Sequence, residues 1–133
     1  FSNRKSLSDL ILVTSRNHRD ANLIKLINKL PIASSKPIGS IGYKISTILR
    51  GETDFYISLS GKTAPKDWDL AAPEALIIGA GGKFTHANGK CLIYNSGNIN
   101  QVGCLIASHG IKHEEICSLL MNKLEIDLPD YIT

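Results

Sequence analysis

Short apolar runs rich in branched side chains alternate along this chain with segments whose apolar residues recur at helical spacing, and that alternation restricts the fold more than any other feature. Leu10-Ile-Leu-Val-Thr14 predicts a strand. Polar residues follow, and Asp20 is a suitable N-cap for a helix lined by Leu23, Ile24, Ile27 and Leu30, which Pro31 stops. A second extended piece is expected over 32–38. Gly39-Ser40 opens another helix, with Ile41, Ile45, Ile48 and Leu49 on its core face and Gly51 as its C-terminal cap. Asp54-Phe-Tyr-Ile-Ser-Leu59 reads as a strand. A polar loop from Ser60 to Asp67 leads to a helix that begins near Trp68-Asp69 and runs to about Gly79, with Pro73 in or near its first turn.

Lys83-Phe-Thr-His86 and Lys90-Cys-Leu-Ile-Tyr94 flank an Asn88-Gly89 step, a strong hairpin signal. Gly103-Cys-Leu-Ile-Ala-Ser108 gives a further strand, and Ile116, Leu119, Leu120 and Leu124 mark a final helix. This order predicts an α/β fold, a mixed sheet with helices packed on it, as one domain over 1–133 without internal repeats. The 133 residues suffice for one core, and 43% hydrophobic content argues against disorder. The net charge of +3 comes from scattered basic residues, which suit a small anion and single out neither a nucleic acid polymer nor a membrane. No apolar run approaches the ~18 residues of a bilayer span. The start, Phe1-Ser-Asn-Arg, lacks Met and a signal-peptide core, so an internal cut from a longer protein is expected. Cys91, Cys104 and Cys117 form no CxxC pair and are expected as reduced thiols, at least two of them buried, in a cytoplasmic protein.

Three stretches carry candidate chemistry. Asp69 stands at the mouth of a helix, where unpaired N–H groups and the helix dipole keep a carboxylate ionised. It either caps that helix or holds a hard cation such as Mg²⁺. Gly39-Ser-Ile-Gly-Tyr-Lys44 puts Lys44 one turn from Ser40 at a helix start, suited to a phosphate but also commonplace on a surface. Thr14-Ser-Arg-Asn-His18 follows a strand end, a usual place for binding groups; His18 beside Arg16 and Arg19 either meets a phosphate or nucleoside or is a solvated loop residue. Gly79-Ala-Gly-Gly82 ends a helix rather than joining a strand to one, which argues against a dinucleotide loop. His113 and Cys117 are a poor metal pair, His86 and His109 receive no role, and Trp68 is expected to anchor the loop by packing.

Trp68-Asp69-Leu-Ala-Ala-Pro followed by Ala80-Gly-Gly82, and continuing through Lys83-Phe-Thr and Asn88-Gly-Lys to Leu92-Ile-Tyr94, resembles the second signature of the inositol monophosphatase superfamily. The segments around Ser15, His18, Ser40 and Lys44 look like those of its 3'(2'),5'-bisphosphate nucleotidase (CysQ-type) branch. The resemblance implies the C-terminal α/β part of the sugar-phosphatase-like fold. It also implies Asp69 as a Mg²⁺ ligand, and Ser15, His18, Ser40 and Lys44 as contacts to a small-molecule nucleotide bisphosphate. The implied reaction converts adenosine 3',5'-bisphosphate to AMP and phosphate. An inositol or sugar monophosphatase and a non-catalytic nucleotide-binding module are the alternatives. The family's acidic Asp-Pro-x-Asp-Gly-Thr-like motif and upstream Glu do not occur here. A missing N-terminal half is therefore expected as the partner, this piece alone is expected to be inactive, and self-association through uncovered apolar surface is expected. Ser58 stands near a position where some eukaryotic members carry Arg, and Lys62 or Lys66 is expected to replace that charge.

Overall fold

The computed structural model describes residues 1–16, 21–60 and 64–131, the last without its side chain. Its elements are β1 (Ile11–Ser15), α1 (Ala21–Asn28), β2 (Ser34–Ile38), α2 (Ile41–Leu49), β3 (Phe55–Ser60), α3 (Asp67–Gly79), β4 (Lys83–His86), β5 (Gly103–Ser108) and α4 (His113–Asp127), with short 3-10 turns at Leu7–Asp9 and Pro129–Tyr131. The five strands form one sheet in the order β2-β1-β3-β5-β4. β1 runs parallel to β2 and β3, whereas β5 is antiparallel to both β3 and β4. The predicted mixed α/β architecture is the one observed.

Both faces of the sheet are covered, which explains why its central strands read as unbroken apolar runs. Alternation along β3 sends Phe55, Ile57 and Leu59 to one face, where Leu23, Leu26 and Ile27 of α1 and Ile116, Leu120 and Leu124 of α4 meet them. Tyr56 points to the other face with Val13, Leu105 and Ala107, against Ile45 and Ile48 of α2 and Leu70 and Ile77 of α3. α1 and α2 therefore lie on opposite faces, and the strand order reverses between β1 and β3. In such sheets ligands bind at that reversal, beyond the carboxyl ends of the strands.

Several local expectations need correction. α1 ends at Asn28, because Lys29 and Leu30 donate to Leu26 and Ile27, three residues back, and tighten the last turn. Ile24 faces outward; Leu23, Leu26 and Ile27 are the buried residues of α1. Pro73 lies in the second turn of α3, where it cannot donate to the Asp69 carbonyl. The Asn88-Gly89 turn forms, with Gly89 at φ +85 and the Gly89 N–H donating to His86 O at 2.9 Å. Its second arm is not a strand: only a Thr85–Cys91 bridge follows. Leu92 is buried against the α2/α3 face, and Gln101 Nε2 donates to Ile93 O at 2.7 Å, so side chains rather than a ladder satisfy that backbone. Cys104 and Cys117 are buried and Cys91 is exposed, all three as free thiols. Asp20 falls outside the described residues. No helix among the described residues is long and apolar enough to cross a membrane.

Candidate functional site

The carboxyl ends of β1 and β3 and the amino ends of α2 and α3 surround one cavity of about 420 Å³. Ser15 lines it from the end of β1, Ser40 and Lys44 from α2, Ser58 and Ser60 from β3, and Asp69 from α3. Four of the five residues chosen from the sequence thus share one pocket. The fifth, His18, lies outside the described residues, as does Lys62.

Ser40 is the N-cap of α2, and its Oγ accepts the Tyr43 N–H at 3.2 Å. The hydroxyl hydrogen remains to donate to an oxygen in the cavity. One turn on, Lys44 is only 2% exposed. Its ammonium folds back to donate to Gly39 O and, at 3.5 Å, to Ile38 O, and it stands 5.4 Å from the centre of the Tyr56 ring. Burial lowers its pKa from 10.5 to about 8. A cation held this way, with no carboxylate ion pair among the described residues, is stabilised by any anion that enters.

Asp69 is the third residue of α3, and its Oδ2 accepts the Lys66 N–H at 2.9 Å. It therefore performs the capping role, and its carboxylate is exposed on the cavity wall at the positive end of a thirteen-residue helix. A hard, anionic oxygen in that place fits Mg²⁺ as one ligand. Among the described residues no group of three or more His, Cys, Asp or Glu side chains could hold a metal ion.

Tyr56, Ser58 and Ser60 alternate onto the same face of β3, so the cavity has a floor of hydroxyl groups. The Ser60 Oγ is buried without a hydrogen-bond partner among the described residues. The sequence names Ser58 only as a departure and puts Ser60 in the loop; the strand runs one residue further than expected, to Ser60, and brings both onto the cavity face. Lys66 does not replace the missing charge, because its ammonium is bound to Asn100 Oδ1 and it does not line the cavity. Trp68 is 66% exposed and does not anchor the loop by packing. Its place at the second position of α3 turns it away from the core that Leu70, Pro73 and Ile77 enter.

His109, given no role in the sequence, and His113, set aside there as a metal ligand, both have structural roles. His109 Nε2 meets Arg4 O at 3.0 Å and lies 3.7 Å from Asp54 Oδ1, in a buried cluster where Asp54 also accepts from Arg4 Nε at 2.7 Å and from Ile11 N–H at 2.8 Å. His113 is buried between Ser108 Oγ, 2.7 Å from Nδ1, and Thr85 Oγ1, 2.9 Å from Nε2. Both ring nitrogens of His113 are engaged by hydroxyl groups. Desolvation, reinforced by Lys83, lowers the His113 pKa to about 4.

The model of the inositol monophosphatase family matches residues 2–125. The chain is 30% identical over 99 residues to 3'(2'),5'-bisphosphate nucleotidase 1 of Mus musculus, a match covering 73% of this chain and 32% of that protein. It is 33% identical over 106 residues to inositol monophosphatase 3 of Xenopus tropicalis, covering 75% and 28%. The solved structure of an IMPase from Thermotoga maritima superposes with a TM-score of 0.73 at 22% identity, over 93% of this chain and 45% of that one, and this likeness bears on fold alone. The chain spans less than a third of the length of these curated relatives.

Proposed function

The chain belongs to the inositol monophosphatase family, and from that premise we propose that it forms part of a magnesium-dependent phosphatase that removes the 3'-phosphate of adenosine 3',5'-bisphosphate, leaving AMP. The observation that carries this reading is the single cavity shared by Ser15, Ser40, Lys44 and Asp69.

One wall of that cavity is cationic and rich in donors. The Ser40 hydroxyl and the first-turn amides of α2 face an entering phosphate, and Lys44 supplies the compensating charge from behind them. The other wall carries Asp69. Asp69 would hold Mg²⁺, which when bound supplies charge for the phosphoryl oxygens and lowers the pKa of a water. Asp69 is the one carboxylate lining the cavity among the described residues, and one carboxylate does not complete such a site, so we propose that the remaining ligands lie on other parts of the protein and that this chain alone is inactive. Ser15 and Ser60 bracket the space between the walls, where their hydroxyls suit the ribose or second phosphate of a nucleotide. Trp68, Leu76 and Ile78 are exposed on α3, which supports proposing that the remainder of the protein covers that helix.

The second reading, an inositol monophosphatase, is favoured by the 33% identity to the Xenopus relative. Assaying the protein that carries this chain on adenosine 3',5'-bisphosphate and on inositol 1-phosphate separates the two. Preference for the nucleotide, reduced by His18→Ala, is expected; preference for the inositol ester, indifferent to His18→Ala, would replace the first reading with the second.

A further inference from the structure

Residues 93–101 have no regular structure, yet they are bound along the approach to α3. The Gln101 N–H donates to Pro65 O at 2.8 Å, the Asp67 N–H donates to Ile99 O at 2.9 Å, and Lys66 bridges Asn100 in antiparallel fashion. Two side chains lock this pairing. Asp67 accepts Gln101 Nε2 at Oδ1 (2.7 Å) and the Asn95 N–H at Oδ2 (3.1 Å). Gln101, only 5% exposed, also donates from Nε2 to Ile93 O at 2.7 Å. Removing that amide would leave two acceptors without their donor, a costly loss at a buried position. Both Asp67 oxygens are engaged by protein donors, so this carboxylate serves the loop although it stands two residues from Asp69.

We propose that Asp67 and Gln101 are positioning residues: they clamp residues 93–101 onto residues 65–67 and thereby fix the direction in which Asp69 enters the cavity. Lys66 is the link, because its carbonyl accepts the Asp69 N–H at 2.9 Å and its N–H donates to Asp69 Oδ2. The functional consequence rests on Asp69 being the Mg²⁺ ligand proposed above; the mechanical claim does not.

The test is amide hydrogen exchange, read residue by residue by NMR on the intact protein that carries this chain, for Asp67→Ala, Gln101→Met and Asp67→Asn. The first two are expected to accelerate exchange of the Asp69 N–H at least tenfold while the Ile106 N–H in β5 keeps its rate. Asp67→Asn, which retains an acceptor for Gln101, is expected to restore part of the protection. Acceleration confined to the Asp67 N–H, with Asp69 unchanged, would overturn the proposal, because the loop would then loosen without moving the site. Equal acceleration of Ile106 would overturn it too, since the clamp would then support the whole fold. A Mg²⁺ titration of the intact protein that is indifferent to Asp69→Asn would remove the ligand role of Asp69, and the exchange result would still decide the clamp.

Discussion

The Lys44 ammonium lies 5.4 Å from the centre of the Tyr56 ring, at the back of a cavity, bonded to the Gly39 carbonyl and to no carboxylate among the described residues. A buried charge in that setting lowers stability, and its retention makes sense where an anion completes it.

Lys44→Met is accordingly expected to stabilise the ligand-free protein by about 1–3 kcal/mol at pH 7, seen as a higher denaturation midpoint, while weakening phosphate or nucleotide binding at least tenfold. The sign follows from a folded pKa of about 8 against an ordinary 10.5. The cost of the charge is fully present below pH 8 and disappears as pH rises to 10.5, because there the unfolded chain holds a proton the folded one has released. The gain from the substitution should shrink over that window. A destabilised variant that still binds phosphate would contradict this account.

His113 predicts pH dependence at the acid end. Its folded pKa of about 4 lies below the ordinary 6.5, so the unfolded chain binds the extra proton between those values. The stability it contributes is complete above pH 6.5 and is lost as pH falls through 4, with a slope of at most about 1.4 kcal/mol per pH unit. Urea unfolding at several pH values should show a shallower slope for His113→Asn, whose side chain does not titrate. Identical slopes would mean that His113 is not held neutral.

Asp54 joins the first residues of the chain to the start of β3 through Ser2, Arg4 and Ile11. Asp54→Ala leaves the half-buried Arg4 and two further donors without their acceptor. A loss of about 3–5 kcal/mol is expected, measured by chemical denaturation, because removing one partner of a buried pair costs more than the pair contributes. A loss below about 1 kcal/mol would show that water takes over these bonds.

Much of the fold was legible because it rests on periodic signals. The runs at Leu10 and Gly103, the helical recurrence of Ile45 and Ile48, and the Asn88-Gly89 step report local geometry and pleat directly. The arm after Lys90 misled because its apolar residues suggest a strand, while the backbone is satisfied by Gln101, a partner eight residues beyond Ile93 that leaves no periodic trace. The same reason hid the Asp67–Gln101 clamp, a pairing across thirty-four residues. Within the site, the helix-start position of Asp69 and the Ser40–Lys44 spacing picked out residues that line one cavity, whereas Trp68 faces away from it. The spacing did not reveal that Lys44 folds back under the Gly39 carbonyl, because helical position fixes the face of a side chain and not the path of its four carbons.

The account stands or falls on Asp69 and Lys44 acting on opposite sides of one phosphate. Steady-state hydrolysis of adenosine 3',5'-bisphosphate by the intact protein, compared between the parent sequence, Asp69→Asn and Lys44→Met, tests this directly. Asp69→Asn should lower kcat/KM at least a hundredfold and raise the Mg²⁺ concentration needed for half-maximal rate, whereas Lys44→Met should act mainly by raising KM. An Asp69→Asn protein with unchanged kcat/KM and Mg²⁺ requirement would contradict it.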